Sequence, residues 1–172
     1  MRDQQFEITA PRQLGMLSYM LCIHGIIITL YLYFWGFPGN TDLLICYLVF
    51  FFFDGCPTIV LHLQYLAANR HTTLVVRDQL QTLSVCQDGV TSDYSFHDIA
   101  QVIYFAGYGN GAWYSFSEYR FFVLAFKDGK KVVISSLMMK YDKKMLERMF
   151  GKQVETRMGL FPWIKSKDLP GR

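Results

Sequence analysis

Charged residues are scarce in this chain, and one long stretch near its start has none. Asp, Glu, Lys and Arg make up 18% of the 172 residues, and none of them occurs in Leu14–Phe37. About 20 apolar residues are enough for a helix to cross the hydrocarbon core of a bilayer. A second apolar run, Leu43–Leu66, follows at once. We therefore predict a two-helix transmembrane hairpin over residues 14–66, preceded by a cytoplasmic segment, residues 1–13.

The sequence also lacks the residue constellations that catalysis requires. No Ser or Cys nucleophile motif, paired carboxylates or metal-ligand spacing accompanies its four histidines. The four cysteines do not form a disulfide pattern, and we interpret them as reduced thiols. Cys22, His24, Asp54 and Cys56 could share a metal only if both helices were broken, because residues two apart point away from each other. We expect a protein that is not an enzyme and that has no cofactor and no metal.

The distribution of arginines predicts how the hairpin is oriented. The connection, residues 38–42, reads Pro-Gly-Asn-Thr-Asp, which is typical of a turn and carries no Lys or Arg. Basic residues instead flank the two runs outside the turn, at Arg2, Arg12, Arg70 and Arg77. The positive-inside rule then places both termini in the cytoplasm. The predicted location is the inner (cytoplasmic) membrane, as a multi-pass protein.

A polar break interrupts the second apolar run. Pro57 cannot donate a backbone hydrogen bond, so Gly55 and Pro57 predict a kink or a helix end. Asp54 lies about halfway along the run, where an unpaired carboxylate is costly, and His24 lies at a similar depth on the first helix. We predict an intramembrane polar contact between His24 and Asp54.

From Thr72 onward the hydrophobic period changes from helical to two residues. Predicted strands cover Thr72–Arg77, residues 81–86, 90–96, 99–105, 119–126 and 132–134, with a further short strand at 154–158. Asp88-Gly89 and Asp128-Gly129 are strong hairpin signals. The fold class is therefore α+β, with residues 70–164 forming a small antiparallel β-barrel or sandwich capped by a C-terminal helix. Residues 165–172 are predicted to be a flexible tail.

The predicted C-terminal helix, residues 137–150, is basic. Residues 127–172 hold twelve Lys and Arg against five Asp and Glu, a net charge of +7, whereas residues 1–126 carry −4. Two interpretations of the helix remain open: a solvated face, or a face that lies against anionic lipid headgroups. The candidate lipid-facing residues are Lys140, Lys143, Lys144 and Arg148. No recognition motif for nucleic acid accompanies this charge.

The chain resembles bacterial pleckstrin-homology-like (PH-like) membrane proteins with an N-terminal two-helix hairpin. The resemblance covers residues 43–164, and its features are Tyr65 and Asn69, Phe96-x-x-Ile99, Lys127-Asp128-Gly129 and Ser135-x-Leu137. It implies two packed antiparallel sheets capped by the helix, in a module for binding or assembly. Relatives that bind phosphoinositides use a Lys/Arg cluster between the first two strands. Here that turn is Asp78-Gln79, which argues against the same mode of binding.

One glycine-rich segment matches a nucleotide-binding fingerprint without its context. Residues 107–112 read Gly-Tyr-Gly-Asn-Gly-Ala, but no crossover helix fits before the next strand, so we expect a loop and no nucleotide. The loop is rich in aromatic residues. Tyr108, Trp113, Tyr114 and Phe116 could contact the membrane or a partner, or could fold back onto the β domain.

These observations favour a non-enzymatic binding or scaffold module that presents a PH-like domain at the cytoplasmic membrane face. The expected partners are the lipid bilayer and either another protein or a second copy of the chain. A hypothesis of a different class is an accessory subunit of a membrane transport or membrane-enzyme complex, with a polar intramembrane site at His24 and Asp54.

Overall fold

The computed structural model describes residues 4–37, 39–108, 114–151 and 153–165. These residues form three α-helices and eight strands. In chain order the elements are β1 (Gln4–Phe6), α1 (Ala10–Trp35), α2 (Thr41–Asn69), β2 (Thr72–Arg77), β3 (Thr82–Gln87), β4 (Val90–Ser95), β5 (Ile99–Gly107), β6 (Arg120–Phe126), β7 (Lys131–Ser135), α3 (Lys143–Phe150) and β8 (Val154–Gly159). Residues 166–172, most of the predicted tail, lie outside the described part.

Two long apolar helices form an antiparallel pair at the start of the chain. Gly36 ends α1 at a φ of 69°, and the side chain of Asn40 caps α2 by accepting a hydrogen bond from the backbone N–H of Leu43 at 3.1 Å. The predicted alternative of a helix end at Pro57 is wrong, because α2 continues through it. The hydroxyl of Thr58, the residue after Pro57, donates to the carbonyl of Asp54 at 2.7 Å. The Asp54 carbonyl therefore has a hydrogen-bond partner within the helix.

The strands form two separate four-stranded sheets. The first has the order β1-β2-β3-β4 and the second the order β7-β6-β5-β8. The mixed α+β class is confirmed, whereas the predicted alternative of a closed barrel is wrong. The all-antiparallel arrangement is also wrong, because β8 pairs in parallel with β5 after the chain has passed through α3. The N-terminal strand β1, which pairs with β2, was not predicted.

Strands β6 and β7 of the second sheet are buried on both faces, whereas most of the edge strand β8 is exposed. On β6, Phe122 and Leu124 point into a core shared with the first sheet and α3, while Phe121 and Val123 point to the opposite side. That opposite side is covered by Leu61, Tyr65 and other residues of α2. The domain therefore has layers: α2, then the second sheet, then the first sheet with α3. A strand buried on both faces explains the uninterrupted apolar run of β6.

Local turn signals were reliable guides to the β-hairpins. Asp88 and Gly89 both have positive φ, 51° and 81°, as the two-residue turn between β3 and β4 requires. A three-residue 3₁₀ turn, Phe96–Asp98, connects β4 to β5. The side chain of Ser95 caps this turn by accepting from the N–H of His97.

The start of α3 differs from the prediction. Residues 137–142 are not helical, and α3 begins at Lys143 after an Asp142 cap whose side chain accepts from the N–H of Met145 at 2.7 Å. The reason is burial: the side chains at 137, 138, 139 and 141 are all at most 4% exposed. No single helix face could bury four of five consecutive residues, so this segment crosses the core in an irregular conformation. Lys140 therefore precedes the helix.

Asn69 joins the end of α2 to the second sheet. Its side chain is 1% exposed, donates to the carbonyl of Val133 at 2.7 Å and accepts from the N–H of Ser135 at 3.0 Å. Only two residues, Arg70 and His71, separate α2 from β2. The domain is thus attached to α2 by packing and hydrogen bonds along the helix.

Replacing Asn69 with Leu should destabilise the fold. The change leaves a buried backbone N–H and a buried carbonyl without partners, which costs about 1–3 kcal/mol for each group. We expect the free energy of unfolding, measured by urea titration in detergent micelles, to fall by about 2–4 kcal/mol. Thr91→Leu, at an exposed position on β4, is the control and should change it by less than about 0.5 kcal/mol. Equal stability of the two variants would contradict the proposed role of Asn69.

Candidate functional site

The structure brings His24 and Asp54 together and adds a third residue, Ser115. His24 Nε2 lies 3.3 Å from Asp54 Oδ2. The backbone N–H of Ser115 donates to Asp54 Oδ1 at 2.8 Å, and the Ser115 hydroxyl donates to Asp54 Oδ2 at 2.6 Å. All three side chains are buried, at 5% exposure or less. The donors of Ser115 both point at the carboxylate, so Asp54 acts as an acceptor that fastens the 114–119 segment to α2.

The ring of His24 has an aromatic environment. Tyr47, Phe50 and Phe51 surround it at ring-centroid distances of 5.1–5.9 Å. Its other ring nitrogen, Nδ1, is buried and has no hydrogen-bond partner among the described residues. A histidine with one polar contact and an aromatic surround is suited to holding two helices in register.

The predicted break in α2, at Gly55 and Pro57, lies inside a continuous helix. Gly55 is buried in α2, and a Cβ at this position would lie 2.5 Å from the ring of Phe51. Glycine therefore lets the Phe51 ring, one of the three around His24, lie close to the backbone of α2. Pro57 follows inside the same helix. Gly55 thus shapes the surroundings of His24 through Phe51.

Further polar contacts continue along α2 toward its C-terminal end. His62 Nδ1 lies 3.0 Å from the hydroxyl of Tyr119, and the hydroxyl of Tyr65 donates to the carbonyl of Pro162 at 2.8 Å. Gln64 makes two hydrogen bonds to the backbone of Ile164, as donor at 2.8 Å and as acceptor at 3.0 Å. Together with Asp54 and Asn69 these residues form a polar seam along α2. The seam holds three parts of the domain against α2: the 114–119 loop, residues 162–164 after β8, and β7.

The aromatic segment after β5 is divided between exposed and buried side chains. Tyr108 and Tyr114 are 69% and 52% exposed, whereas Phe116 is 6% exposed and packs against Tyr114 and Phe161. Trp113 lies outside the described residues, as do positions 109–112 of the glycine-rich segment. Phe116 thus folds back onto the protein, whereas Tyr108 and Tyr114 remain exposed, and a contact of these two tyrosines with a membrane or a partner stays a prediction.

The basic candidates lie on the surface around α3. Lys140, Lys143, Lys144 and Arg148 are all exposed. Lys143 pairs with Glu147 at 3.8 Å one turn along the helix, which is a weak surface interaction. Lys140 belongs to the irregular segment before α3 and lies beside the junction between α1 and the domain.

The residues that contact Asp54 and His62 from the domain, Ser115 and Tyr119, could not be predicted from the sequence. Ser115 and Tyr119 lie 61 and 57 residues away from them along the chain, in a loop and at the start of a strand. Neither belongs to a motif. The only available signal was a buried carboxylate on α2 that needed a donor.

The architecture has a known counterpart. A family model described as PH domain matches residues 5–145, which is most of the chain. The chain belongs to the PH domain family. The matched range includes both long helices as well as the strands β1–β7. No curated protein matches the sequence.

PH domains are generally binding modules without catalytic activity, so membership favours binding over catalysis. In this PH domain the buried polar residues connect elements of the fold. Among the residues that the structure describes, no three His, Cys, Asp or Glu side chains are grouped as metal ligands. The candidate site is therefore the junction between the helices and the PH domain.

A double-mutant cycle tests whether His24 and Asp54 stabilise each other. Asp54→Leu should destabilise the protein strongly, and less so when His24→Leu is already present, because the lost contact is counted only once. We expect a coupling of about 0.5–3 kcal/mol in the free energy of unfolding. The control pairs Asp54→Leu with Ser18→Leu, an exposed site on α1, and should be additive. If the effects of Asp54→Leu and His24→Leu on the free energy of unfolding are strictly additive, the prediction that the two side chains stabilise each other is wrong.

Two buried tyrosines of the PH domain predict alkaline unfolding. Burial raises the pKa of Tyr119 and the pKa of Tyr141, whose hydroxyl lies 2.9 Å from the carbonyl of Arg120. Above about pH 10 the unfolded chain loses these protons while the folded chain keeps them, so stability falls with pH. Each tyrosine contributes about 1.4 kcal/mol per pH unit. Tyr141→Phe should reduce the fall in the free energy of unfolding between pH 10 and pH 11. Tyr108→Phe, at an exposed position, should leave this fall unchanged.

Proposed function

We propose that the chain is a membrane-anchored, non-enzymatic binding module. In this proposal α1 and α2 form a transmembrane hairpin in the cytoplasmic (inner) membrane, both termini are cytoplasmic, and the PH domain is presented at that face. The family membership supports the binding role. The residue ranges of the proposal are the hairpin at 14–66 and the domain at 70–164.

The observation that carries the anchoring is the bare apolar surface of the two helices. Both helices are long and apolar enough to cross a membrane, and only 11% and 17% of their most apolar windows are buried within the protein. The core helix of a soluble domain would be mostly covered. The exposed side chains include Phe34 and Trp35 of α1, Phe37 in the connection, and Phe50, Phe52 and Phe53 of α2. Lipid is a cover that matches this surface.

The seam along α2 supports a scaffold that holds its domain in a fixed orientation. A PH domain on a flexible linker would sample many orientations, whereas here the hydrogen bonds of Asp54, His62, Tyr65 and Asn69 fix it to the helix. The exposed Tyr114, which lies near Tyr19 of α1, then keeps a fixed position relative to the hairpin. A partner is thus offered the domain at raised local concentration and in one orientation.

The second hypothesis, an accessory subunit with a polar intramembrane site, has less support. Asp54 already accepts two hydrogen bonds from Ser115 and lies against His24. A transport path would need a carboxylate that faces water or a partner. Asp54 is 3% exposed.

Fractionation and cysteine labelling test the anchoring and the orientation. The four native cysteines are replaced by Ser or Ala, and a single cysteine is introduced by Asp42→Cys at the turn or by Thr91→Cys on β4; both positions are exposed. A membrane-impermeant maleimide should label position 42 in intact cells and position 91 only after permeabilisation. The protein should remain in the carbonate-washed membrane pellet. Recovery without detergent, or labelling of both positions from one side, would refute the proposal.

A further inference from the structure

A groove separates the start of α1 from the PH domain. Its volume is about 670 Å³, within the range of about 300–1,000 Å³ that is typical of ligand pockets. Arg12, Gly15 and Tyr19 form one wall, and the segment 114–120 with residues 136, 140 and 141 forms the other. None of the lining residues belongs to the turn between β2 and β3. The groove is therefore separate from the turn that related phosphoinositide-binding domains use.

The charged groups around the groove give it a net positive charge. Arg12, Arg120 and Lys140 line it together with one acid, Glu118, which pairs with Arg120 at 3.1 Å. Arg12 is held in place because its Nε–H donates to the carbonyl of Ser136 at 2.8 Å. Three cations and one anion leave an excess of two positive charges. An anionic ligand matches this excess.

The groove is also amphipathic along the direction of α1. Its cationic end is marked by Arg12, at the start of the helix. Met16 and Tyr19 follow along the same wall, and Tyr114 lies on the opposite wall next to Ser115, which is bound to Asp54 on α2. Moving along α1 from Arg12 therefore leads from cations to aromatic and apolar side chains, in the direction of the bare hairpin. This polarity is that of a phospholipid at a membrane surface.

We propose that this groove binds one anionic phospholipid, with the headgroup phosphate at Arg12 and Lys140 and the acyl chains along α1 toward the hairpin turn. The proposal rests on the membrane location proposed above. The lipid would occupy the space between α1 and the domain that the protein itself leaves open. Anionic lipid would then support the position of α1, as the polar seam supports the position of α2.

Two glycines of α1 provide a matched pair of variants. A Cβ at Gly15 or at Gly25 meets nothing within 4 Å, so the backbone at each position leaves room for a side chain to begin. Only Gly15 lines the groove. Gly15→Leu should therefore fill the groove while preserving the helix, and Gly25→Leu is the control for the effect of a new leucine on α1.

Native mass spectrometry of the full chain in non-ionic detergent measures the binding directly. Phosphatidylglycerol and phosphatidylcholine with identical acyl chains are titrated in parallel. The wild type should hold one phosphatidylglycerol about tenfold more tightly than phosphatidylcholine. Gly15→Leu and the double variant Arg12→Gln/Lys140→Gln should lose this preference. Gly25→Leu and Lys127→Gln, which is exposed after β6 and lies outside the groove, should keep it.

The outcomes separate this inference from the proposed function. Equal binding of the two lipids, or an unchanged preference in Gly15→Leu, would overturn the lipid site even if the chain fractionates with membranes. Recovery of the chain without detergent would overturn the membrane anchor, and the two lipids could still be compared in micelles. Inorganic phosphate distinguishes the two sources of the anion: displacement of phosphatidylglycerol by phosphate at millimolar concentration would show a site for free phosphate, and would also overturn the lipid site.

Discussion

The packing of α2 against the second sheet is the interaction on which the rest of the structure depends. That sheet is apolar on both faces, since neighbouring residues of β6 such as Phe121 and Phe122 are both fully buried. A sheet of this kind needs a cover on each side. The first sheet and α3 cover one side, and Leu61 and Tyr65 of α2 cover the other. The long helix is therefore part of the domain's core.

This packing gives the two halves of α2 different environments. The C-terminal half carries the polar seam and contacts β7 and the loops, whereas the N-terminal half leaves large apolar side chains exposed. Polar residues on an apolar helix are costly in lipid unless they have partners, and Asp54 has partners from the domain and from α1. The polar residues of α2 thus mark the part of the helix that the domain contacts.

The family match agrees with this division of roles. It extends over residues 5–145 and so includes α1 and α2 together with most of the strands. A helix that covers one face of the sheet is expected to be part of such a module. The pairing of β1 supports the same conclusion, because β1 precedes α1 in the chain and pairs with β2, which follows α2. The hairpin is thus inserted between two paired strands of one sheet.

Local features of this protein could be predicted because they depend on neighbours in the chain. The apolar runs predicted the two long helices, period-two alternation and short β-prone runs predicted β2–β7, and Asp88-Gly89 predicted a hairpin whose two positive φ angles follow from those two residues. The contact between His24 and Asp54 was proposed from matching depth alone, because an antiparallel hairpin relates the two helices by a simple count from the turn.

The remaining features were decided by contacts between distant parts of the chain. The sequence of residues 137–142 is compatible with a helix, yet burial of Leu137, Met138 and Met139 in two different clusters makes the segment irregular. The parallel pairing of β8 with β5 and the approach of Ser115 to Asp54 likewise join residues about 50 or more positions apart. A sequence pattern states which side chains need burial or a hydrogen-bond partner. Which distant group meets that need is decided only when the layers pack, because packing brings together residues whose separation along the chain carries no information about their contact.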